Sequence, residues 1–362
     1  MSELFSPLQL ASVTFPHRIF LSPMCQYQAR EGYVTPWHFV HLGARAQGGA
    51  SLVMMEASSV SPEGRLSHGD VGLWEDGQGK ALAPLVDLVH SLGSRIGIQL
   101  AHGGRKASCH RPWEEGGRPL SESSGAWPVV GPSPMAFSEG YPIPKEMDSP
   151  EMERVAESFV RSAIRAKASG FDVLELHLAH GYLLHEFLSP LTNMRLDQWG
   201  GSIEGRMRYP LEVVRRVRQV WPQELPLFVR ISATDWVPGG WSIEDSVVLA
   251  RQLKLLGVDL IDVSSGGIVP HAAIPVAPLY QVALSERIRS EAKIPTGAVG
   301  LVTAPEEAES IVRSGKGDAV LIGRAMLRNP NWPLEAALKL GGFLSPPDSY
   351  LRAWPPVGCP AG

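Results

Sequence analysis

The sequence predicts an α/β fold, a single (α/β)₈ barrel of the TIM type over residues 1–362, with an N-terminal hairpin and a long loop after the third strand. Short apolar, β-branched segments alternate with longer helical segments, and this alternation repeats eight times. Strands that are apolar on both faces and alternate with helices form parallel sheets. Eight such units favour a closed barrel over an open doubly wound sheet. Because no linker or low-complexity segment divides the chain, we expect one domain.

The N-terminal half predicts the hairpin and the first four strands. The hairpin is predicted at LQLASVTFPHR, and the strands at IFLSPM, SLVMMEA, RIGIQLAH and VLELHLAH. Helices are predicted between these strands over about Thr35 to Gln47, KALAPLVDLVHSLG and SPEMERVAESFVRSAIRAKASG. In the last of these helices Ser149 is the expected N-cap, and Gly170 is expected to end it. The Gly/Pro/Ser-rich segment from Gly103 to about Asp148 is long for a connection, and loops of this length are usually functional.

The C-terminal half repeats the pattern. Strands are predicted at PLFVRIS, LIDVSSG, PTGAVG and DAVLIGR. The helices are predicted at IEGRMRYPLEVVRRVRQVW, WSIEDSVVLARQLKLLG, PLYQVALSERIRSEA, APEEAESIVRSG and NPNWPLEAALKLG.

Composition restricts the class of protein. Hydrophobic residues make up 44% of the chain and charged residues 19%, which is ample material for a large core. The formal net charge of −4 argues against nucleic acid or an anionic membrane as the main partner. No apolar run approaches the roughly 20 residues that span a bilayer, and the first residues lack the features of a signal peptide. We therefore expect a cytoplasmic protein.

The cysteines and histidines predict no metal site. Cys25, Cys109 and Cys359 are widely spaced and form neither a CxxC motif nor an even set for disulfides. A zinc site at His177 and His180 would need a third ligand, and no HExxH or acidic partner motif supplies one.

Polar residues cluster where the predicted strands end, which is where barrel enzymes place their active sites. These residues are Ser22 to Cys25, Glu56 and Ala57, Gln99 with His102, His177 with His180 and Tyr182, Arg230, Ser264 with Ser265, Gly300, and Gly323 with Arg324. The last two strands end in VG and IGR, and glycine at these places lets backbone N–H groups approach a phosphate. No GxGxxG follows the first strand, so a Rossmann dinucleotide site is not expected.

Four segments resemble the old yellow enzyme family of FMN-dependent ene-reductases. They are SPMCQY (Ser22 to Tyr27), HGGRK (His102 to Lys106), HLAHGYLLHEFLSPLTNMRLDQWGGSIEGRMRY (His177 to Tyr209) and IGR (Ile322 to Arg324). The third segment is highly specific, and the match runs in order over almost the whole chain. The thiol in SPMC and the HxxHxY spacing resemble the bacterial, thermophilic-like branch of the family.

The resemblance implies a role for each matching residue. Hydrogen bonds to the substrate carbonyl oxygen would come from His177 and His180, the proton for Cα from Tyr182, and a further substrate contact from Tyr27. Non-covalently bound FMN would be contacted by Ser22, Pro23, Met24, Cys25, Ala57, Gln99, Arg230, Gly300, Gly323 and Arg324. In this set Arg230 would lie at the N1/C2 edge of the flavin, and Gly300, Gly323 and Arg324 would hold the phosphate. From the residues alone, Arg230 has an alternative partner in Asp262.

The resemblance also implies the reaction and the partners. NADPH or NADH would reduce FMN, and FMN would deliver the hydride to Cβ of the substrate, an α,β-unsaturated carbonyl compound or a related electron-poor alkene. Relatives are often homodimers or homotetramers, and the tail offers Tyr350, Arg352 and Trp354 as candidates to reach a neighbouring active site. Leu334 occupies the place where some relatives have an intersubunit arginine.

A phosphosugar-handling aldolase or isomerase would share the barrel and the phosphate loops. Such an enzyme normally needs a Schiff-base lysine or a carboxylate base on the rim. Lys106 and Glu56 are the only candidates near the rim, so the ene-reductase is the preferred interpretation.

Overall fold

Eight parallel strands close into a barrel in the computed structural model, which describes residues 2–354. The barrel strands are β3 (Ile19–Leu21), β4 (Leu52–Ser59), β5 (Arg95–Ala101), β8 (Val173–Leu178), β9 (Leu227–Ser232), β10 (Leu260–Ser264), β11 (Thr296–Ala298) and β12 (Ala319–Ile322). Each strand pairs with the next one in this order, and β12 pairs with β3. The predicted barrel is therefore confirmed.

Helices follow the strands as predicted, with two short additions. The helices are α1 (Pro36–Gln47), α2 (Asp76–Ser91), α3 (Ser149–Ala168), α4 (Leu183–Leu188), α5 (Ile203–Val220), α6 (Ile243–Leu255), α7 (Val282–Ala292), α8 (Pro305–Arg313), α9 (Arg324–Arg328) and α10 (Trp332–Leu340). The sequence did not predict α4 and α9, because helices of five or six residues are too short to show a period. Within residues 2–354, no helix is both long and apolar enough to cross a bilayer.

The third long helix begins one residue earlier than expected. Asp148 is the N-cap of α3, and its carboxylate accepts a hydrogen bond from the Glu151 N–H at 2.9 Å. The prediction of Ser149 as the N-cap was wrong. Both residue types cap helices well, and here the anionic side chain occupies the position that reaches the first-turn N–H groups.

The N-terminal hairpin closes one end of the barrel. Its strands, β1 (Leu8–Leu10) and β2 (Val13–Phe15), pair antiparallel as predicted. Their apolar side chains pack in one cluster with residues from the starts of the barrel strands, among them Val173, Phe228 and Leu260. The long loop from Gly103 to Asp148 crosses the opposite end. It contains three short 3₁₀ turns and one short strand pair, β6 (Val130–Gly131) with β7 (Lys145–Glu146).

The interior of the barrel changes from apolar to polar along the strands. Alternate residues of a strand face the same side. On β8, Val173 is therefore followed on the inner face by Glu175 and His177, and the neighbouring β9 and β10 show the same change. Their inner residues are Phe228, Arg230 and Ser232, and Leu260, Asp262 and Ser264, in register with one another. The polar layers lie at the end of the barrel where the strands end, which we call the C-terminal rim.

Candidate active site

The turn after β8 carries two of the three predicted catalytic side chains, those of His180 and Tyr182, and the third, His177, lies on β8 itself. His180 has φ of +59° and Gly181 φ of +74°, so two successive residues adopt the left-handed conformation. A side chain at Gly181 would bring its Cβ to 2.2 Å from the Gly267 carbonyl oxygen, which explains the glycine. The His180 N–H donates to the Ser232 hydroxyl at 2.9 Å, and the His180 carbonyl accepts from Lys106 Nζ at 2.9 Å.

The two histidines face each other on the rim. His177 Nε2 lies 3.3 Å from His180 Nδ1, and His180 Nε2 lies 2.7 Å from the Ser264 hydroxyl. Because the Ala179 N–H donates to His177 Nδ1 at 3.2 Å, the neutral His177 ring carries its proton on Nε2. Burial and the nearby Arg230 lower the pKa of both imidazoles, so both rings are uncharged at neutral pH.

Tyr182 and Tyr27 stand beside this pair. The Tyr182 ring packs edge-on against the His177 ring, with centroids 5.0 Å apart. Burial, followed by the Cys25 thiol and Asp70, raises the pKa of Tyr182. Burial and the same Cys25 also raise the pKa of Tyr27. Both phenols therefore keep their protons, and the residues predicted to act on substrate lie together on the rim.

The segment after β3 places Cys25 against the same rim. Burial, then Asp70 and Glu56, raise the pKa of the Cys25 thiol well above its ordinary value, so the thiol is neutral. The Gln26 N–H donates to Glu56 Oε2 at 2.7 Å, and Glu56 Oε1 lies 3.2 Å from His38 Nε2. The side chain of His38 is 1% exposed. Glu56 was the candidate base of the phosphosugar-handling alternative, but its contacts give it a structural role.

A layer of buried charged and amide groups lies below the histidines. Arg230 Nε is 3.1 Å from Asp262 Oδ2, and Gln99 Nε2 donates to Glu175 Oε1 at 2.7 Å. Burial raises the pKa of both Glu175 and Asp262. The two interpretations of Arg230 are thus compatible, since it pairs with Asp262 and also lines the cavity described next. Sequence reasoning missed Glu175, although the alternation Val173, Glu175, His177 marks it as inward-facing.

A cavity of about 250 Å³ opens between the ends of β9 to β12. Its lining includes the predicted Arg230, Gly300, Gly323 and Arg324, together with Ser264, Tyr280, Gln281, Val299, Leu301, Val302, Thr303, Leu321, Ala325 and Arg328. Gly300 has φ of +120°, and a Cβ built on Gly323 would meet Met24 Sδ at 3.4 Å as its nearest neighbour. A side chain would therefore find room at Gly323, whereas a Cβ at Gly300 would lie 3.1 Å from Gln281 Cβ, so Gly300 is explained by its left-handed φ and by packing. The second arginine, Arg328, was missed because α9 was not predicted.

Arg105 and Lys106, from the HGGRK segment, hold the loops of the rim together. Arg105 donates through its guanidinium to the carbonyls of Met135, Ala136 and Ile268 at 3.3, 3.2 and 2.5 Å. Lys106 Nζ donates to the Gly267 carbonyl at 3.1 Å as well as to that of His180. Burial, with Arg105, lowers the pKa of Lys106 to about 8. Both side chains thus have structural partners, and Lys106 is not free to form a Schiff base.

A buried carboxyl group below the rim gives a prediction about pH and stability. Glu186 accepts from the Arg105 N–H at 2.9 Å, and burial raises its pKa to about 8 although Arg105 and Lys106 lower it. The folded protein therefore keeps a proton that the unfolded chain loses above the ordinary pKa of 4.5, so stability falls as the pH rises from about 4.5 to about 8. Glu186→Gln has no such proton. We expect its melting temperature, relative to that of the wild type, to increase from pH 5 to about pH 8 and then to level off; a difference that does not change with pH would contradict the assignment.

Comparisons with known proteins agree with the class of enzyme that this fold and rim define, a flavin-dependent barrel oxidoreductase. Residues 3–341 match the NADH:flavin oxidoreductase / NADH oxidase family. The chain is 47% identical over 353 residues to an NADPH dehydrogenase of Geobacillus thermodenitrificans, covering 97% of this chain and 98% of the relative. It is 44% identical to an NADPH dehydrogenase of Halalkalibacterium halodurans, covering 97% and 99%.

Solved structures give the same result. Morphinone reductase in complex with tetrahydroNAD superposes with a TM-score of 0.77 at 28% identity, covering 96% of this chain and 93% of that one. An old yellow enzyme homologue from Zymomonas mobilis superposes with a TM-score of 0.76 at 27% identity, covering 91% of each chain.

The protein therefore belongs to the NADH:flavin oxidoreductase / NADH oxidase family, which includes the old yellow enzymes. This confirms the predictions of an oxidoreductase, of FMN as the cofactor and of a nicotinamide nucleotide as the reductant. The phosphosugar alternative was wrong. The roles of individual site residues remain predictions.

Proposed function

We propose that this protein is an NADPH-dependent ene-reductase that acts on α,β-unsaturated carbonyl compounds or related electron-poor alkenes. The observation that carries the proposal is the pair of facing imidazole nitrogens, His177 Nε2 and His180 Nδ1, with the Tyr182 phenol beside them. Two donors and a proton source on one rim match the needs of a conjugated carbonyl group. NADPH is the preferred reductant because the curated relatives are NADPH dehydrogenases.

The residues of the cavity fit FMN. Gly323, where a Cβ would have its nearest neighbour at 3.4 Å, and Gly300, whose φ is +120°, have no side chain to keep a phosphate away from their backbone N–H groups. Arg324 adds positive charge at the same end, and Arg230 lies deeper, next to the histidine layer. A guanidinium at this depth stabilises negative charge on a reduced ring system. Gln99 has its amide nitrogen fixed by Glu175, which leaves its oxygen as an acceptor for a ring N–H.

The residues of the rim would act on the substrate in two ways. When bound and reduced, FMN supplies the hydride that goes to Cβ of the alkene. Negative charge then develops on the carbonyl oxygen, and preorganised donors aimed at that oxygen stabilise the transition state. His177 offers Nε2–H for this purpose. His180 offers Nδ1–H once the substrate oxygen, in place of His180 Nδ1, accepts from the His177 Nε2–H and the Ser264 hydroxyl donates to His180 Nε2.

Proton delivery is assigned to Tyr182. Burial keeps the phenol neutral, so its O–H is available to Cα of the substrate. Cys25 and Tyr27, which lie near it, are also neutral. Tyr182 would thus be the proton donor to the alkene, and His177 and His180 would be its two hydrogen-bond donors.

The test of this function is an anaerobic spectral titration. The purified protein should show the visible absorption of a flavin, lose it on addition of NADPH, and regain it on addition of cyclohexenone. A protein that bleaches with NADPH and is not reoxidised by cyclohexenone or other enones is an NADPH dehydrogenase with a different oxidant. A protein that neither contains nor binds FMN would contradict the whole proposal.

Removing the charge at the phosphate end should weaken cofactor binding. Hydrogen bonds to charged groups contribute about 1.5–3 kcal/mol, so we expect Arg324→Gln to raise the Kd for FMN by roughly 10- to 100-fold. The matched control is Arg161→Gln, which removes an exposed guanidinium on α3 whose ion pair in the described part of the chain is with Glu157. The measurement is fluorescence titration of the apoprotein with FMN. Equal affinities of the two variants would exclude Arg324 from the phosphate site.

A further inference from the structure

A second histidine–carboxylate pair lies behind the catalytic turn. His185, on α4, and Asp235, in the loop after β9, both have side chains that are 0% exposed. The Gly181 N–H donates to His185 Nδ1 at 2.9 Å, and His185 Nε2 lies 3.1 Å from Asp235 Oδ1. The other oxygen, Asp235 Oδ2, accepts from the Ser189 hydroxyl at 2.6 Å and from the Trp241 N–H at 2.7 Å. None of these groups has a role in the mechanism described above.

The hydrogen bonds determine the tautomer of His185. Because Nδ1 accepts from the Gly181 N–H, it carries no proton in the neutral ring, and the proton is on Nε2. Asp235 Oδ1 lies 3.1 Å from this nitrogen, so the negative charge of the carboxylate favours the tautomer with the proton on Nε2. Burial acts to raise the pKa of Asp235, but His185 and the hydrogen bonds from Ser189 and Trp241 outweigh it and lower the pKa, so Asp235 is ionised.

The Gly181 N–H, which donates to His185, lies at the centre of the turn. Gly181 is the residue between His180 and Tyr182, and its φ of +74° follows the φ of +59° at His180. Left-handed conformations at successive residues persist where their surroundings hold them in place. The His180 N–H and carbonyl are held by Ser232 and Lys106. His185 holds the next N–H along the chain, that of Gly181, and the Tyr182 N–H donates to the Ala179 carbonyl at 3.2 Å.

We propose that His185 and Asp235 are positioning residues, a dyad that fixes the turn so that His180 and Tyr182 point at the substrate. The proposal rests on the proposed function in so far as these two side chains act on an alkene. The dyad transfers no proton and touches neither cofactor nor substrate. It acts through the Gly181 N–H.

Asp235→Asn tests the tautomer. The amide oxygen can still accept from Ser189 and Trp241, but the amide NH₂ then faces His185 Nε2 and forces the proton onto Nδ1. A protonated Nδ1 cannot accept from the Gly181 N–H. In a serine protease the equivalent change costs about 10⁴-fold in kcat. Because His185 carries no proton in the reaction, we expect a smaller loss here, a decrease on the order of 10²-fold in the rate of reoxidation by cyclohexenone. The FMN content and the visible spectrum should be unchanged.

His185→Asn and His185→Gln distinguish positioning from packing. The asparagine oxygen takes the place of Nδ1 and still accepts from the Gly181 N–H, whereas the glutamine amide reaches the place of Nε2 and leaves that N–H without a partner. The dyad therefore predicts that the asparagine variant is the more active of the two. A role in packing alone predicts the opposite order, because glutamine is closer to histidine in volume.

Amide hydrogen exchange provides a readout that needs no substrate. In the holoenzyme, the segment 177–184 should exchange faster in Asp235→Asn and His185→Gln than in the wild type, and His185→Asn should stay close to the wild type. If the wild type is not reoxidised by enones but this order is seen, the dyad stands and the proposed function fails. Unchanged exchange and unchanged reoxidation in Asp235→Asn would overturn the dyad.

Discussion

Tyr182→Phe is expected to slow reoxidation of the reduced enzyme by an enone by about 10²- to 10⁴-fold, the range that a positioned general acid contributes. Reduction of the enzyme by NADPH delivers no proton to carbon and should keep nearly its normal rate. The phenylalanine ring preserves the edge-on packing against His177, so the change removes the hydroxyl group alone. Stopped-flow absorbance of the flavin measures the two half-reactions separately. If both slowed equally, the assignment of Tyr182 as proton donor would be wrong.

Tyr209→Phe is the matched control for this variant. Its hydroxyl is also buried and donates to the Met152 carbonyl at 2.9 Å, but it lies between α3 and α5, away from the rim. Losing this hydrogen bond should lower stability by about 1 kcal/mol and leave both half-reactions unchanged. The comparison separates the loss of a buried hydroxyl from the loss of a catalytic one.

The barrel was predictable from the sequence because its signals are local. Each strand is an apolar segment of a few residues, and each long helix shows its own period and ends. The polar layer was also predictable in principle, because Leu260, Asp262 and Ser264 alternate along β10 and so share its inner face. The two polar residues of this set lie nearer to the C-terminal rim. The matching segments of the old yellow enzyme family then identified His177, His180 and Tyr182, which the structure brings together.

The supporting contacts could not be predicted in the same way. His185 and Asp235 are 50 positions apart, on different strand–helix connections, and only the closure of the barrel brings them to 3.1 Å. The same holds for His180 and Ser264, which are 84 positions apart and 2.7 Å from each other. Such pairs depend on how neighbouring loops pack at the rim, and neither period nor residue type indicates that packing.

Replacing His177 removes the donor whose tautomer is best defined. In His177→Ala, the transition state loses the Nε2–H that faces the developing oxyanion, and removal of one such donor costs about 10²- to 10³-fold in kcat. We expect a loss of this size with cyclohexenone, together with weaker binding of a phenol such as p-hydroxybenzaldehyde, whose ionised oxygen takes the place of the substrate oxygen. Bound FMN should be retained, because none of the cavity residues contacts His177 through a hydrogen bond in residues 2–354.

The control for this variant is His90→Ala, which removes an imidazole from α2 that lies 2.7 Å from Asp172, at the opposite end of the barrel. It should leave phenol binding and turnover unchanged. Spectral titration with the phenol gives a direct measure, since ligand binding next to the flavin perturbs its visible absorption. Normal phenol affinity in His177→Ala, with slower turnover, would mean that His177 orients the turn rather than binding the oxygen. Loss of FMN instead would move His177 from the substrate side of the site to the cofactor side.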